Sequence, residues 1–206
     1  MINEQRYVLP THSRLYRIHN EERASNCFNS THFGAGRFNP IYSLKNKELI
    51  GVLYLASYYV DAISETLMRK NQLGIAQFNA TDIAKKKLAQ LDTVRELVFI
   101  DLNSIDALRN ILNSDSSYYP KLRQFSEYVL NHPDYDDIDG FVWDGIQRGA
   151  EGQRVFVVFE KNANESDFIE RISEYLLQPT GLNKLKDAAR ALNCDIPESI
   201  LKLTTN

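Results

Sequence analysis

Hydrophobic residues along the chain follow two different periods, and this alternation predicts strands and helices that interleave. Short runs rich in β-branched and aromatic residues are typical of strands, and they lie at residues 15–18, 51–56, 94–102, 138–143 and 154–160. In other segments apolar residues recur every three to four positions, as on one face of a helix. These helical patterns cover residues 62–67, 104–112, 118–129 and 182–192. The pattern predicts one α+β domain with a small mixed or antiparallel sheet of four to six strands, flanked by helices.

Three other segments carry weaker signals. Thr81 is placed to cap a polar helix, so we predict a helix over residues 82–90. Phe168, Ile172 and Leu176 would share one face of a helix, so the tail from residue 164 is predicted to be helical throughout. We expect its apolar stripes to pack in the core, although they leave a homo-oligomer surface open. The first 13 residues show no clear period, and no element is predicted there.

Composition supports a single globular domain and argues against several classes of function. The chain has 206 residues, of which 43% are hydrophobic and 25% charged, enough to bury one core. Its net charge of −3 argues against a nucleic-acid surface, because phosphate contacts need an excess of clustered Lys and Arg. No stretch reaches the ~18 apolar residues of a membrane span or resembles a signal peptide. We therefore expect a cytoplasmic protein that binds neither nucleic acid nor membrane directly.

The two cysteines predict neither a metal centre nor a disulfide. Cys27 and Cys194 lie far apart in the chain, and neither has the Cys or His spacing of a zinc site. Reduced thiols fit a cytoplasmic location. We expect no metal.

The longest stretch without a regular pattern, residues 20–47, is polar and rich in Asn, Ser and Gly. A connection of this length inside a compact domain is usually functional. It contains Arg37, and it leads into the strand at 51–56 and then into a helix that carries Glu65. Arg37 and Glu65 therefore place a guanidinium and a carboxylate on two separate elements, and both groups are capable of chemistry. On helix spacing alone, a solvent-facing ion pair between Glu65 and Arg69 is the simpler interpretation of Glu65.

Four spaced motifs resemble the signature of the RES-domain family. They are Leu15-Tyr16-Arg17-Ile18, Gly36-Arg37-Phe38-Asn39-Pro40, Leu53-Tyr54-Leu55-Ala56 and Ala62-Ile63-Ser64-Glu65-Thr66. The resemblance runs from about residue 15 to residue 160, and it implies one RES-like domain over residues 1–206, with C-terminal helices at 164–206. Members of the family resemble bacterial toxins that consume NAD and are silenced by a helix-turn-helix antitoxin. The resemblance therefore implies an ADP-ribosyltransferase-like cleft, NAD as the substrate and an Xre-like antitoxin as the partner.

The resemblance also implies roles for individual residues. Cleavage of the nicotinamide–ribose bond passes through an oxocarbenium-like state that a carboxylate stabilises, and Glu65 is the candidate. Arg17 and Arg37 are candidates for the pyrophosphate, because guanidinium donors match phosphate oxygens. Tyr54 is the candidate for stacking on nicotinamide. The catalytic candidates are thus Glu65, Arg17 and Tyr54, and the NAD-binding candidates are Arg17, Arg37, Tyr54 and Gly145.

At Gly145 the chain departs from the family pattern. The run Asp139-Gly140-Phe141-Val142-Trp143-Asp144 is followed by Gly145, where the family has its serine. Either a hydroxyl that orients the ribose is lost or replaced by Asp144 or Gln147, or the backbone requires glycine at a positive φ. Three classes of function stay open: a NAD glycohydrolase or phosphorylase, an ADP-ribosyltransferase acting on a protein, and a non-catalytic nucleotide-binding module.

Overall fold

The computed structural model describes residues 4–32, 36–70, 76–78, 83–112, 116–145 and 153–202. Its strands within these ranges are β1 (Gln5–Leu9), β2 (Arg14–Asn20), β3 (Ile41–Tyr42), β4 (Leu49–Ile50), β5 (Val52–Ala56), β6 (Met68–Lys70), β7 (Ala76–Phe78), β8 (Lys86–Thr93), β9 (Leu97–Asp101), β10 (Gly140–Asp144), β11 (Arg154–Phe159) and β12 (Phe168–Tyr175). The α-helices are α1 (Tyr59–Leu67), α2 (Asp106–Leu112), α3 (Tyr119–Asn131), α4 (Pro179–Ala191) and α5 (Glu198–Lys202). No helix in these ranges is long and apolar enough to cross a bilayer.

Eight of the described strands form one mixed sheet in the order β1-β9-β10-β11-β5-β2-β8-β12. The β9–β10 pair is parallel, and the other neighbours are antiparallel. Two short pairs, β3–β4 and β6–β7, lie outside this sheet. The predicted α+β class with flanking helices is confirmed. The predicted sheet of four to six strands is too small, because the described residues supply eight.

Two segments predicted as helices are strands. Residues 82–90 were expected to be helical, but a short 3₁₀ turn, Ile83–Lys85, leads directly into β8. The first part of the C-terminal tail is β12 instead of a helix. The two strands pair with each other from Phe168 opposite Thr93 to Tyr175 opposite Lys87, so their backbone groups are satisfied by a partner distant in sequence. This pairing overrides a weak local pattern, as it does for the unpredicted β1, which pairs with β9.

Elements with a strong local pattern agree with prediction. The runs at 138–143 and 154–160 are the neighbouring antiparallel strands β10 and β11. Gly140 permits their close approach, because a Cβ at this position would lie 1.9 Å from the carbonyl oxygen of Val157. Helix α3 begins with Pro120 in its first turn, where a missing N–H has no helical partner to lose. The expected helix near residues 182–192 is α4, and α5 also lies in the tail that was predicted to be helical.

The two faces of the sheet are packed differently. On one face, α2 and α3 cover a cluster that includes Phe38 and Trp143, and α1, α4 and α5 cover a second cluster around Ile63. The cluster on the other face consists of strand residues together with Phe28 and Ala163, without a helical member among the described residues. Because successive strand residues point to opposite faces, these clusters show which side of the sheet each functional side chain occupies.

Candidate active site

The floor of the candidate site is formed by β5, β10 and β11. Trp143 lies opposite Val155, and Val155 lies opposite Ala56, so these residues share one face of the sheet. Tyr54 lies two residues from Ala56 along β5, and Gly145 lies two residues beyond Trp143. Both therefore face the same side. The N–H of Gly145 donates to the carbonyl oxygen of Gln153 at 3.2 Å, which continues the β10–β11 ladder to the edge of this floor.

Helix α1 carries Glu65 over this floor. The chain leaves β5 and enters the helix after Tyr58, which is extended at φ −138°. The apolar residues of α1 are buried, and Asp61 and Glu65 lie one turn apart, on the same side of the helix. The helix ends at Leu67, and Arg69 belongs to β6. Glu65 and Arg69 therefore do not lie on one helix, which removes the helical spacing assumed by the simpler interpretation of the sequence.

Arg37 approaches Glu65 from the loop between β2 and β3. Its Nη1 lies 3.8 Å from Glu65 Oε2, and the two side chains are only 11% and 16% exposed. Its guanidinium carbon lies 5.5 Å from the ring centroid of Trp143 and 5.7 Å from that of Tyr119, within cation–π range. A separation of 3.8 Å is longer than a direct hydrogen bond. Within the described part of the chain, the guanidinium is thus surrounded by two aromatic rings and by the carboxylate of Glu65.

Tyr54 holds the segment that carries Arg37. Its hydroxyl accepts a hydrogen bond from the backbone N–H of Phe38 at 3.0 Å and donates to Asn39 Oδ1 at 3.4 Å. Burial raises the pKa of Tyr54 to about 12, so the hydroxyl keeps its proton at neutral pH and both bonds persist. Phe38 is fully buried against Trp143. The hydroxyl of Tyr54 is therefore engaged in positioning the loop.

Two buried donors in this site lack a hydrogen-bond partner among the described residues. They are Arg37 Nε and Trp143 Nε1, which belong to side chains already in contact. Buried donors in folded proteins are nearly always satisfied. Their lack of an acceptor marks this part of the molecule as a candidate site. Trp143 was predicted only as a strand residue, although its position two residues before Gly145 was a signal that it shares the face of the family's serine position.

Gly145 faces α1 at the end of β10. A Cβ at this position would lie 3.2 Å from Asp61 Oδ1 and 3.5 Å from Val155 Cγ2. The φ angle of Gly145 is outside the left-handed region, so the explanation that the backbone requires glycine there is not supported. Asp61 is only 1% exposed. Sequence reasoning missed this carboxylate, although its spacing of four residues from Glu65 was an available signal.

Asp144 and Gln147 were the alternatives considered for the missing serine. Asp144 is paired with Arg154, whose Nη1 lies 3.0 Å from its Oδ1, and its neighbours Trp143 and Gly145 occupy the site face. The alternation of strand residues therefore directs Asp144 to the opposite side of the sheet. Gln147 lies outside the described residues.

Arg17 does not join the other predicted site residues. Tyr16 lies opposite Ala56 on the face that carries the site, so Arg17 points to the opposite face. There its Nη1 donates to the carbonyl oxygens of Ser25 and Cys27, both at 2.7 Å. Burial lowers the pKa of Arg17 to about 10, which leaves the guanidinium charged at neutral pH. The geometry gives Arg17 a role in holding the loop after β2, whereas it brings Arg37, Tyr54, Glu65 and Gly145 together.

The RES domain model matches residues 14–178. This chain belongs to the RES-domain family. The match spans the whole candidate site, from the loop of Arg37 to Gly145. The fold of this RES domain is similar to that of a chain in the crystal structure of the M. tuberculosis MbcT–MbcA toxin–antitoxin complex, with a TM-score of 0.57 and 17% sequence identity over 87% of this chain and 92% of that chain. A comparison with curated proteins finds no match.

Proposed function

We propose that this RES-domain protein is an enzyme that consumes NAD by cleaving the bond between nicotinamide and ribose. The observation that carries the proposal is the approach of Arg37 to Glu65, at 3.8 Å, above Trp143. It places a cation, a carboxylate and an aromatic surface within one small region. A dinucleotide with two phosphates, a ribose and an aromatic base requires these three kinds of contact. Membership of the RES-domain family supports NAD as the substrate.

The reaction needs little covalent chemistry from the protein. The carbon–nitrogen bond breaks with its electron pair moving to the nicotinamide ring, which leaves as a neutral molecule. Positive charge then develops on the ribose carbon and its ring oxygen, and a nearby carboxylate stabilises that charge. Glu65 supplies the carboxylate. Water or phosphate next forms a bond to the same carbon, so the products are nicotinamide and either ADP-ribose with a released proton or its phosphorylated form.

Arg37 and its neighbours account for binding. The long contact with Glu65 leaves the guanidinium able to turn its donors to the pyrophosphate, and bonds of this type between charged groups are short and strong. Arg37 Nε is a further donor that becomes available when the guanidinium turns. The partly exposed ring of Tyr119 is the surface against which the nicotinamide stacks, and the buried ring of Trp143 holds the guanidinium in place. Tyr54 affects binding indirectly, because its hydroxyl holds the loop that carries Arg37.

We further propose that the protein is the toxin of a toxin–antitoxin pair. Free NAD-consuming activity would harm the cell that makes it, so a partner must cover the site between the loop of Arg37 and α1. The similar fold in a toxin–antitoxin complex supports such a partner. We expect a small Xre-like helix-turn-helix protein, which would also bring the DNA binding that a chain of net charge −3 does not favour.

The proposal is tested with the purified protein and NAD, in parallel reactions without acceptor, with phosphate and with bacterial protein extract. We expect release of nicotinamide in step with ADP-ribose, or with its phosphorylated form when phosphate is present. Absence of nicotinamide release in every reaction would contradict enzymatic NAD consumption. Label from NAD appearing on protein would instead show an ADP-ribosyltransferase.

The toxin assignment needs a separate experiment in cells. Expression of the wild-type chain should lower cellular NAD and stop growth, and co-expression with the neighbouring gene product should restore both. Glu65→Gln is the control, because it tests whether the presence of the protein without the Glu65 carboxylate is enough to stop growth. Harmless expression of active wild-type protein, with no partner retained on purification, would contradict the toxin assignment.

A further inference from the structure

The space beside Gly145 is bounded by a buried carboxylate. Asp61 Oδ1 lies 3.2 Å and Val155 Cγ2 lies 3.5 Å from the point where a Cβ of residue 145 would stand. Distances of this size are those of ordinary or slightly tight contact, so the space holds one additional heavy atom. An oxygen placed there would be close to hydrogen-bond distance from the carboxylate of Asp61. Because residue 145 has no side chain, a ligand can supply that atom.

We propose, on the basis of the NAD-consuming function proposed above, that Asp61 is a second substrate-binding carboxylate and accepts a hydrogen bond from a ribose hydroxyl beside Glu65. Asp61 and Glu65 are four residues apart on α1, so their side chains leave the same side of the helix about 5–6 Å apart at Cβ. Neighbouring hydroxyl groups of one ribose can therefore donate hydrogen bonds to the two carboxylates. In this chain the oxygen acceptor near residue 145 comes from α1 and not from β10.

The position of Asp61 also explains how a carboxylate is tolerated at 1% exposure. It lies in the first turn of α1, where the N-terminal end of the helix dipole stabilises negative charge. Tyr58 provides no side-chain cap for that end of the helix, so the carboxylate contributes negative charge where a cap is missing. A charged acceptor also makes a stronger hydrogen bond to a hydroxyl donor than a serine does.

The test combines Asp61→Ala, Gly145→Ser and the double variant. We expect Asp61→Ala to lower NAD turnover and ADP-ribose affinity by about tenfold or more, the effect of losing one hydrogen bond to a charged group. Gly145→Ser alone should not raise turnover, because the new side chain fills the space needed by the ribose hydroxyl. In the double variant the serine side chain still fills that space, so the activity lost with Asp61 should not return. Asp106→Ala, a first-turn helical aspartate that is 94% exposed, is the matched control.

Affinity for ADP-ribose is measured by calorimetry, independently of catalysis. If the wild-type protein binds ADP-ribose without releasing nicotinamide, the proposed function fails while the affinities still decide the role of Asp61. If it does neither, both ideas are overturned. Unchanged affinity in Asp61→Ala, or a loss that Gly145→Ser repairs by filling the space, would assign Asp61 a structural role only. Should Asp61→Ala fail to fold, Asp61→Leu, which has no acceptor, takes its place, and wild-type affinity in that variant would overturn the proposal.

Discussion

Two arginine–carboxylate groups in this RES domain differ in how completely they are satisfied. Arg95 donates to both oxygens of Asp139, at 2.7 and 3.2 Å, and its Nε lies 3.3 Å from Asp167. Asp139 also accepts a hydrogen bond from the backbone N–H of Val98 at 2.8 Å. The hydrogen bonds to Asp139 raise the pKa of Arg95. This group ties β9, the start of β10 and the segment before β12 together.

Arg37 and Glu65 form the contrasting group. Their atoms approach only to 3.8 Å, and Arg37 Nε has no hydrogen-bond partner among the described residues. Among the described residues, two aromatic rings contact the guanidinium. A group whose bonds are complete within the protein stabilises the fold, and we propose that the group with unused donors serves a ligand. The comparison predicts that mutations in the first group act on stability and those in the second act on function.

The largest effect on stability is expected for Asp139→Ala. Removing this carboxylate leaves the N–H of Val98 without its acceptor and takes two acceptor oxygens from Arg95, which keeps Asp167. We expect the free energy of unfolding to fall by about 3 kcal/mol, the lower end for a broken buried pair because Arg95 is partly exposed. Urea denaturation measures this change, and NAD turnover per folded molecule should stay at the wild-type level. A fall below about 1 kcal/mol would show that the pair resembles a surface salt bridge.

Glu65→Gln should produce the largest loss of function. The substitution keeps the shape and helix propensity of the residue but removes the charge that stabilises the oxocarbenium-like state. We expect NAD turnover to fall by about a hundredfold or more, with the melting temperature unchanged. Glu198→Gln, an exposed change on α5, controls for the loss of a helical carboxylate. Turnover near the wild-type rate would exclude Glu65 from catalysis.

Substitution of the two arginines that the sequence suggests for the pyrophosphate should have different effects. Arg37→Ala removes a charged phosphate contact, so ADP-ribose affinity should fall by about tenfold or more. Arg17→Ala should leave affinity unchanged and lower the free energy of unfolding by about 1–3 kcal/mol, because two carbonyl groups lose their donor. Calorimetry and urea denaturation on both variants measure the two effects. Weakened ligand binding in a stable Arg17→Ala protein would contradict the assignment made from the sheet register.

The smallest effect is expected for Tyr54→Phe. The ring remains, but the bonds to Phe38 N and Asn39 Oδ1 are lost, and one such bond contributes about 0.5–1.5 kcal/mol. Because these bonds hold the Arg37 segment, we expect ADP-ribose affinity to fall a few-fold with little change in melting temperature. Tyr54→Leu, which also removes the ring, should weaken binding more only if the ring itself contacts the ligand. Equal effects of the two variants would place the whole contribution in the hydroxyl.

The local hydrophobic pattern was sufficient to predict an element where one secondary-structure period dominates. The strands β10 and β11 and the helix α3 were predictable because their apolar residues follow one period and are bounded by glycine or proline. For β8 and β12 the apolar residues suit a helix as well as a strand, and their pairing over residues 87–93 and 168–175 decides between the two. That pairing joins segments distant in the chain, so no local pattern contains it.

The candidate site shows the same division. Arg37, Tyr54 and Glu65 became candidates because they belong to compact motifs close to one another in sequence, and Gly145 because it follows the family-like run 139–144. Asp61 belongs to none of these motifs, and Trp143 lies in that run without a predicted role at the site. The importance of both depends on contacts with Gly145 and Arg37.

By itself the sequence determined the fold class, the family and most of the candidate site residues. The tertiary structure decided which of them meet. Tyr16 opposite Ala56 sends Arg17 to the other face of the sheet, and the approach of α1 to the end of β10 brings Asp61 to Gly145. The physical reason is that side chains alternate between faces every residue, so the register between distant strands, which no local pattern encodes, decides which of these residues share a site.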